Sequence, residues 1–93
     1  MILEIVSPEE KLFSGEVTSV TLPGVDGSFQ ILNHHAPIVS ILEKGTIKIV
    51  APVFNFSKEI AGKFTKVNEQ TYTLEIASGT IEMKDNKIIV LAD

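Results

Sequence analysis

The sequence is that of one small acidic domain, with 93 residues, no cysteine and a formal net charge of −4. The acidic balance argues against a nucleic-acid partner, which would require a basic surface, and the lack of cysteine excludes disulfides and thiolate metal ligands. The longest apolar run, residues 88–92, is far shorter than the roughly 20 residues that span a bilayer, and no signal-peptide pattern is visible, so we expect a soluble, cytoplasmic protein without direct membrane insertion.

Apolar and polar residues alternate with a period of two through most of the chain, which is typical of half-buried β-strands. In chain order, the alternation predicts strands near residues 3–6, 17–22, 29–31, 46–50, 72–76 and 80–84, and the short apolar runs 38–42 and 88–91 are interpreted as two further strands. Turn-forming pairs separate these strands, and Asp26-Gly27 is the strongest hairpin signal because both residues tolerate a positive φ. No segment has a convincing helical periodicity. Short strands with regular turns predict an all-β fold, either a sandwich or a barrel.

The segment 52–70 is less regular than the rest of the chain. Phe54 and Phe56 alternate with polar residues as in a strand, but charged residues and a glycine interrupt the pattern before Phe64 and Val67 resume it. We therefore expect an extra hairpin or a long loop within 52–70, inserted between two core strands of a single domain that spans residues 1–93.

The sequence offers no convincing catalytic or metal-binding constellation. His34 and His35 are adjacent, so on a strand they would point to opposite faces, and no third ligand is suitably spaced. Ser14 and Ser78 precede glycines in turns but lack the Gly-x-Ser-x-Gly elbow of hydrolases, and no phosphate-binding glycine loop is present. We expect a protein that is not an enzyme and that has no cofactor and no metal site.

The segment 38–42 is apolar on both faces apart from Ser40. In a small antiparallel sandwich one face of a strand should meet water, so such a segment is either central in a sheet or covered by a partner. The mean hydropathy of +0.26 is also high for a small domain, and this high value has two possible explanations. Either the core is well filled with Val, Ile and Leu, or a partner covers apolar surface.

Four short motifs lie in register along the chain. They are Leu3-x-Ile5-Val6-Ser7-Pro8-Glu9 with Leu12-Phe13-Ser14-Gly15, then Gly27-x-Phe29-Gln30-Ile31-Leu32-x-x-His35-Ala36-Pro37, then Leu42-x-x-Gly45-x-Ile47-x-Ile49, and finally Ser78-Gly79-x-Ile81-Glu82 with Val90-Leu91-Ala92-Asp93. Each motif alone is weak, but together they resemble the N-terminal β-sandwich domain of the epsilon subunit of F-type ATP synthases. The resemblance runs from residue 2 to residue 93, apart from most of the segment 52–70.

This resemblance implies both a fold and a function. The fold would be a flattened β-sandwich of about ten mostly antiparallel strands. Such a domain sits at the foot of the central stalk, with one face on the gamma subunit and one end on the membrane ring of c subunits. It is a rotor part that couples gamma rotation to the c-ring in proton-driven ATP synthesis. It would be non-catalytic and would lie, as a peripheral part of the complex, on the cytoplasmic face of the cell membrane.

Carried over position by position, the resemblance implies two sets of contact residues. The gamma-facing set consists of Ser7, His35, Ser40 and Thr46, with Ile38 and Leu42 as apolar neighbours. The ring-facing set consists of Asp26, Gly27, Ser28 and Phe29. Many relatives have a carboxylate at the position of Ser28, so in this sequence only Asp26 is available to pair with a basic residue of the c-subunit loop.

The family usually continues beyond the position of Asp93 into two helices, which can inhibit ATP hydrolysis and in some relatives bind ATP. The given sequence does not include them, so we expect neither nucleotide binding nor an inhibitory arm from these residues.

Two other functions compete with the rotor role. A free-standing β-sandwich binding module for a sugar or peptide would need an exposed aromatic platform, which only Phe54, Phe56 and Phe64 could supply. A small metal-dependent β-barrel enzyme would have to use His34 and His35, and it lacks a third ligand.

Overall fold

The computed structural model describes all residues, Met1–Asp93, and confirms the all-β prediction. Ten strands and one helical turn follow along the chain: β1 (Ile2–Val6), β2 (Lys11–Glu16), β3 (Ser19–Gly24), β4 (Gly27–Leu32), β5 (Ile38–Leu42), β6 (Gly45–Val50), α1 (Lys58–Ala61), β7 (Phe64–Asn68), β8 (Thr71–Ile76), β9 (Gly79–Lys84) and β10 (Lys87–Ala92). The helical turn has four residues, so the structure contains no helix long and apolar enough to cross a bilayer.

The ten strands form one hydrogen-bonded sheet that folds over into two layers. The first layer has the strand order β2-β1-β10-β9-β5, and the second has the order β4-β3-β6-β8-β7. The layers are joined between β3 and β5 through a single pair, Gly24 with Leu42. All paired strands are antiparallel except β1 and β10, which are parallel. The predicted flattened sandwich of mostly antiparallel strands is therefore confirmed.

The core lies between the two layers as one cluster of 21 buried apolar residues, to which every strand contributes. Within a strand the burial alternates as the sequence predicts: Leu3 and Ile5 of β1 are fully buried, whereas Glu4 between them points outward. No buried side-chain nitrogen or oxygen lacks a hydrogen-bond partner. Since burying a Leu or Ile side chain contributes about 1.5–3 kcal/mol, this cluster is the main source of stability.

The two clearest hairpin turns have different geometries. In the β9–β10 turn, Asp85 and Asn86 both have positive φ, 51° and 59°, as a type I′ turn requires. The predicted hairpin at Asp26-Gly27 also forms, between β3 and β4, but its two-residue turn consists of Val25 and Asp26. There only Gly27 has a positive φ, 112°, and it lies just after the turn.

The segment 52–70 crosses one open side of the sandwich. After β6 the chain runs without regular structure to α1, where the Ser57 hydroxyl accepts a hydrogen bond of 3.3 Å from the Ile60 N–H and caps the helical turn. It then enters β7, which pairs with β8 to form a hairpin. The alternation did not predict α1, because a single turn is too short to show a helical period.

Five aromatic rings close this side of the core. They come from β2, the crossing segment, β7 and β8, and they are Phe13, Phe54, Phe56, Phe64 and Tyr72. Ring centroids are 4.5 Å apart for Phe54–Tyr72 and for Phe56–Phe64, within the range of favourable aromatic contacts. An ion pair between Lys63 and Glu10 spans the same side. The cluster thus connects β2, the edge strand of the first layer, to β8 and β7 at the edge of the second layer.

Gly79 is a position at which an added methyl group should destabilise the first layer. It pairs with Leu42 of β5 and Ala92 of β10, and a Cβ atom there would lie 2.5 Å from the carbonyl oxygen of Leu91. We expect Gly79→Ala to lower the free energy of unfolding by about 1–3 kcal/mol, measured by urea denaturation, because the obstructing atom belongs to the backbone. The matched control is Gly62→Ala, where a Cβ would meet no atom within 4 Å. Equal losses in both variants would contradict the prediction.

Candidate protein-interaction surface

The outward face of the first layer carries exposed apolar side chains on β5 and β10, the two strands that flank β9. Val39 and Ile41 of β5 are 77% and 65% exposed, and Leu91 of β10 is 55% exposed. The register places Ile41 and Leu91 on either side of Thr80 in β9, and Leu91 beside Val6 of β1. With the half-buried Ile89, these residues form what we call the apolar patch: Val6, Val39, Ile41, Ile89 and Leu91.

Charged side chains border the apolar patch. The Glu4 carboxylate of β1 lies 3.4 Å from the Nζ of Lys11 and 3.4 Å from that of Lys87. Hydrogen bonds from Lys11 and then Lys87, together with their positive charges, hold the pKa of Glu4 below its usual value. Glu82 of β9 pairs with Ile89 on one side and with Val39 on the other, so its carboxylate lies between the two apolar halves of the patch. Protein–protein interfaces commonly combine apolar and charged side chains in this way.

The outward face of the second layer is polar. One row across its five strands consists of Gln30, Thr21, Lys48, Thr73 and Thr65. In a neighbouring row, the Thr46 hydroxyl donates a hydrogen bond to the carboxylate of Glu75. The strands of this layer carry two strongly exposed large apolar side chains, Leu32 at the end of β4 and Val67 near the end of the edge strand β7. The two faces of the sandwich therefore differ in chemistry: the first has Val39, Ile41 and Leu91 exposed in paired or next-to-paired strands, whereas on the second the exposed apolar side chains lie only at the ends of β4 and β7.

Ile38 and Leu42 of β5, which were predicted to contact the gamma subunit, point toward the core. Leu42 is 1% exposed, so its side chain belongs to the core and cannot contact a partner in the intact fold. Ile38 is half-buried and packs against the core, and Ser40 lies on the same side of the strand. Val39 and Ile41, which the sequence analysis did not name, occupy the outward positions. The sequence carried no signal for this choice, because β5 is apolar on both faces.

The other predicted gamma-facing residues lie in three separate places. Ser7 follows β1, and its hydroxyl donates to the Glu10 carbonyl at 3.1 Å and accepts from the Glu10 N–H at 3.3 Å. His35 is exposed in the loop between β4 and β5, where its ring Nδ1 lies 2.7 Å from the carbonyl oxygen of Ala36. Thr46 lies on the polar face of the second layer. Contact between these residues and a gamma subunit stays a prediction.

The predicted ring-facing residues are brought together at the tip of the β3–β4 hairpin. Asp26, Gly27 and Ser28 are exposed, whereas Phe29 is half-buried and packs against the core. The sequence analysis missed Val25, which is 58% exposed beside Asp26 in the turn. The tip therefore presents one carboxylate and one apolar side chain, and its contact with a c-ring also stays a prediction.

The two competing functions would require an exposed aromatic platform or a metal site built on the two histidines. Phe64 is 8% exposed, and Phe54 and Phe56 are half-buried in the aromatic cluster, so these rings do not form an exposed platform. His34 and His35 lie in an exposed loop, and the structure contains no group of three or more His, Cys, Asp or Glu side chains that could hold a metal ion.

Comparison with known proteins identifies the family. The family model of the ATP synthase delta/epsilon chain beta-sandwich domain matches residues 1–61. An ATP synthase epsilon chain of Chlorobium limicola is 35% identical over 91 residues, which are 98% of this chain and 86% of that protein. The chain belongs to the ATP synthase delta/epsilon chain family. The resemblance that the four motifs indicated is therefore confirmed.

Other relatives of this delta/epsilon family member are longer. The epsilon chain of Desulforamulus reducens is 38% identical over 98% of this chain but only 57% of its own length, and that of Dehalococcoides mccartyi is 33% identical over 98% and 54%. The chain thus spans little more than half the length of these curated relatives.

Solved structures share the fold of this family member. A chain of the Tetrahymena thermophila mitochondrial ATP synthase central stalk/c-ring matches 99% of the present chain and 62% of its own length, with a TM-score of 0.68 and 17% identity. A chain of the Euglena gracilis mitochondrial ATP synthase, from a structure of OSCP, F1 and the c-ring, matches 99% and 49%, with a TM-score of 0.76 and 17% identity. At this identity the similarity concerns the fold.

Substitutions in β5 should separate core from surface. We expect Leu42→Ala to lower the free energy of unfolding by about 2–5 kcal/mol, since it leaves a cavity in the core. Val39→Thr, which keeps a β-branched side chain on the outward face, should change stability by less than about 0.5 kcal/mol. Equilibrium unfolding in urea measures both. A small loss for Leu42→Ala and a large one for Val39→Thr would show that β5 has the opposite orientation.

The ion pairs of Glu4 should make stability depend on pH. Because the pKa of Glu4 is lower in the folded than in the unfolded chain, its carboxylate stabilises the fold above the unfolded pKa, and this contribution is lost as the pH falls through the folded pKa. Glu4→Gln should therefore be less stable than the unmodified chain at neutral pH, and the difference should shrink as the pH falls through the folded pKa of Glu4, where Glu4 also becomes neutral. Urea denaturation midpoints measured from neutral to acidic pH test this.

The control for the pH experiment is Glu82→Gln on the same face, because Glu82 forms no ion pair. The difference in stability between Glu82→Gln and the unmodified chain should vary much less with pH. A difference for Glu4→Gln that stays constant across the range would contradict the assignment.

Proposed function

We propose that this chain is a non-catalytic rotor subunit of an F-type ATP synthase, which couples the gamma subunit to the c-ring during proton-driven ATP synthesis. Relatives named ATP synthase epsilon chain match nearly the whole of it, and chains of the same fold occur in central-stalk and c-ring structures. The observation that carries the proposal is the difference between the two outward faces: one bears the apolar patch and the other is polar.

The gamma subunit docks on the apolar patch in this proposal. Val39, Ile41 and Leu91 supply the exposed area, and burying each of them would contribute about 1.5–3 kcal/mol before the costs of association. The charged rim around Glu4 adds orientation, because charge pairing discriminates between partners more than it raises affinity. This surface uses none of the gamma-facing residues that the resemblance implies: Ile38, Ser40 and Leu42 lie on the inner side of β5, Ser7 and His35 lie outside the strands, and Thr46 lies on the polar face.

The c-ring contacts the tip of the β3–β4 hairpin in this proposal. Val25 provides an exposed apolar contact, and Asp26 provides the carboxylate that would pair with a basic side chain of a c-subunit loop. Gly27, Ser28 and Phe29 complete the tip. Neither surface needs the chain to enter the bilayer, so the domain would be a peripheral part of the complex on the cytoplasmic face of the cell membrane.

A coupling role calls for stiffness rather than chemistry. Rotation that was taken up by deforming the domain would not reach the catalytic head. The chain resists deformation because one continuous sheet surrounds a single core, and the aromatic cluster and the Lys63–Glu10 ion pair close the side between β2 and β7. Two docking surfaces on a stiff body are sufficient for this task, and no cofactor or nucleotide takes part.

A charge within the apolar patch should weaken gamma binding. We expect Ile41→Asp to raise the dissociation constant for the purified gamma subunit of the same ATP synthase at least about tenfold, since it buries a charge at the interface. Biolayer interferometry measures the constant. The control is Thr65→Asp, an exposed position on the polar face, which should bind normally. Normal binding by Ile41→Asp, or a loss confined to Thr65→Asp, would exclude docking on the apolar patch.

A further inference from the structure

Asn86 joins three segments at one end of the first layer. It is the second residue of the β9–β10 turn, with a φ of 59°. Its side-chain Oδ1 accepts a hydrogen bond of 2.8 Å from the His34 N–H, and its Nδ2 donates one of 3.0 Å to the Oδ1 of Asn33. Its backbone carbonyl accepts a bond of 3.1 Å from the N–H of Ile2. The side chain alone thus bridges the hairpin turn to the loop between β4 and β5.

The β4–β5 loop, residues 33–37, has little else to hold it to the rest of the protein. All its side chains are exposed, and His34 has a φ of 62°, a left-handed conformation that is uncommon for residues other than glycine. The bond from the His35 N–H to the Leu32 carbonyl, 3.2 Å, and the contact of the His35 ring are local. The two bonds of the Asn86 side chain are therefore the hydrogen bonds that fix the position of the loop.

The position of the loop determines how β5 enters the first layer. β5 begins directly after the loop, with Ile38 opposite Met83, only a few residues before Asn86. A slip of one residue in this register would exchange the two sides of the strand, so that Val39 and Ile41 would turn inward. The strand sequence cannot resist such a slip strongly, because β5 is apolar on both sides. An anchor next to the start of the strand can resist it.

We infer that Asn86 is a positioning residue for the gamma-docking surface: it anchors the β4–β5 loop so that β5 presents Val39 and Ile41 outward in a fixed register. This inference rests on the proposed function. The anchor holds β5 in place before a partner binds. Binding therefore loses less conformational entropy than it would if the strand were mobile. Asn86 itself need not contact the partner.

Three variants at the β9–β10 turn separate the anchor from the turn. Asn86→Gly removes both side-chain hydrogen bonds, while glycine keeps the positive φ that the turn requires. Asp85→Gly is the matched control, because Asp85 occupies the preceding turn position with a φ of 51° and makes no side-chain hydrogen bond. Asn86→Asp keeps the acceptor for the His34 N–H, and the Asn33 amide can turn over to donate to the new carboxylate.

Amide hydrogen exchange of the free protein tests the anchor. We expect exchange of the His34 amide to accelerate at least about tenfold in Asn86→Gly, because its acceptor is gone, and to change little in Asp85→Gly and Asn86→Asp. Amides of the core strands β1 and β10 should keep their protection in all three variants, which shows that the fold persists. Unchanged exchange of the His34 amide in Asn86→Gly would overturn the inference.

Binding to the purified gamma subunit tests the positioning role. We expect the dissociation constant to rise about fivefold or more for Asn86→Gly and to stay near the unmodified value for Asp85→Gly and Asn86→Asp. If exchange accelerates but Asn86→Gly binds normally, the positioning role is overturned while the proposed function stands. If the unmodified chain itself fails to bind the gamma subunit, the proposed function fails, and the positioning role that rests on it fails as well.

Discussion

The structure depends on one constraint: a single continuous sheet must bury alternate residues of all its strands in the same core. The sheet can satisfy this only by folding over, and it does so where β3 and β5 share just the pair of Gly24 and Leu42. Once the layers face each other, each strand has one side in the core and one side outside. In β5, Leu42 points inward, and Val39 and Ile41 point outward. The chemistry of both outer faces follows from that closure.

Closure also suits the domain to the rotor role that we propose for it. The side near the joint between β3 and β5 is held by the sheet itself, and the side between β2 and β7 is held by aromatic rings and an ion pair. The outer faces are then free to serve partners without supporting the fold. The apolar patch on one face and the exposed hairpin tip are the two places at which the proposed partners would bind.

The fold was largely predictable, and the interaction surface only in part. Alternation of apolar and polar residues predicted most of the strands because burial on one side repeats every second residue, but it did not predict β2. The hairpin tip was found because glycine and aspartate mark turns. The helical turn α1 was not predicted, since four residues cannot show a period. Phe54 and Phe56 were correctly seen as apolar, but their contacts with Phe13 and Tyr72 join distant segments that no local pattern relates.

The sequence by itself determined that the chain is all-β, where most strands and turns lie, and which family its motifs resemble. These properties are local, because they depend on residues close together in the chain. Only the tertiary structure decided which side of β5 is exposed, and that Asn86 holds a loop more than fifty residues away. In β5 both sides are apolar apart from Ser40, which lies on the inner side, so the apolar pattern could not choose between them. The choice came from the register with β9, which only the assembled sheet fixes.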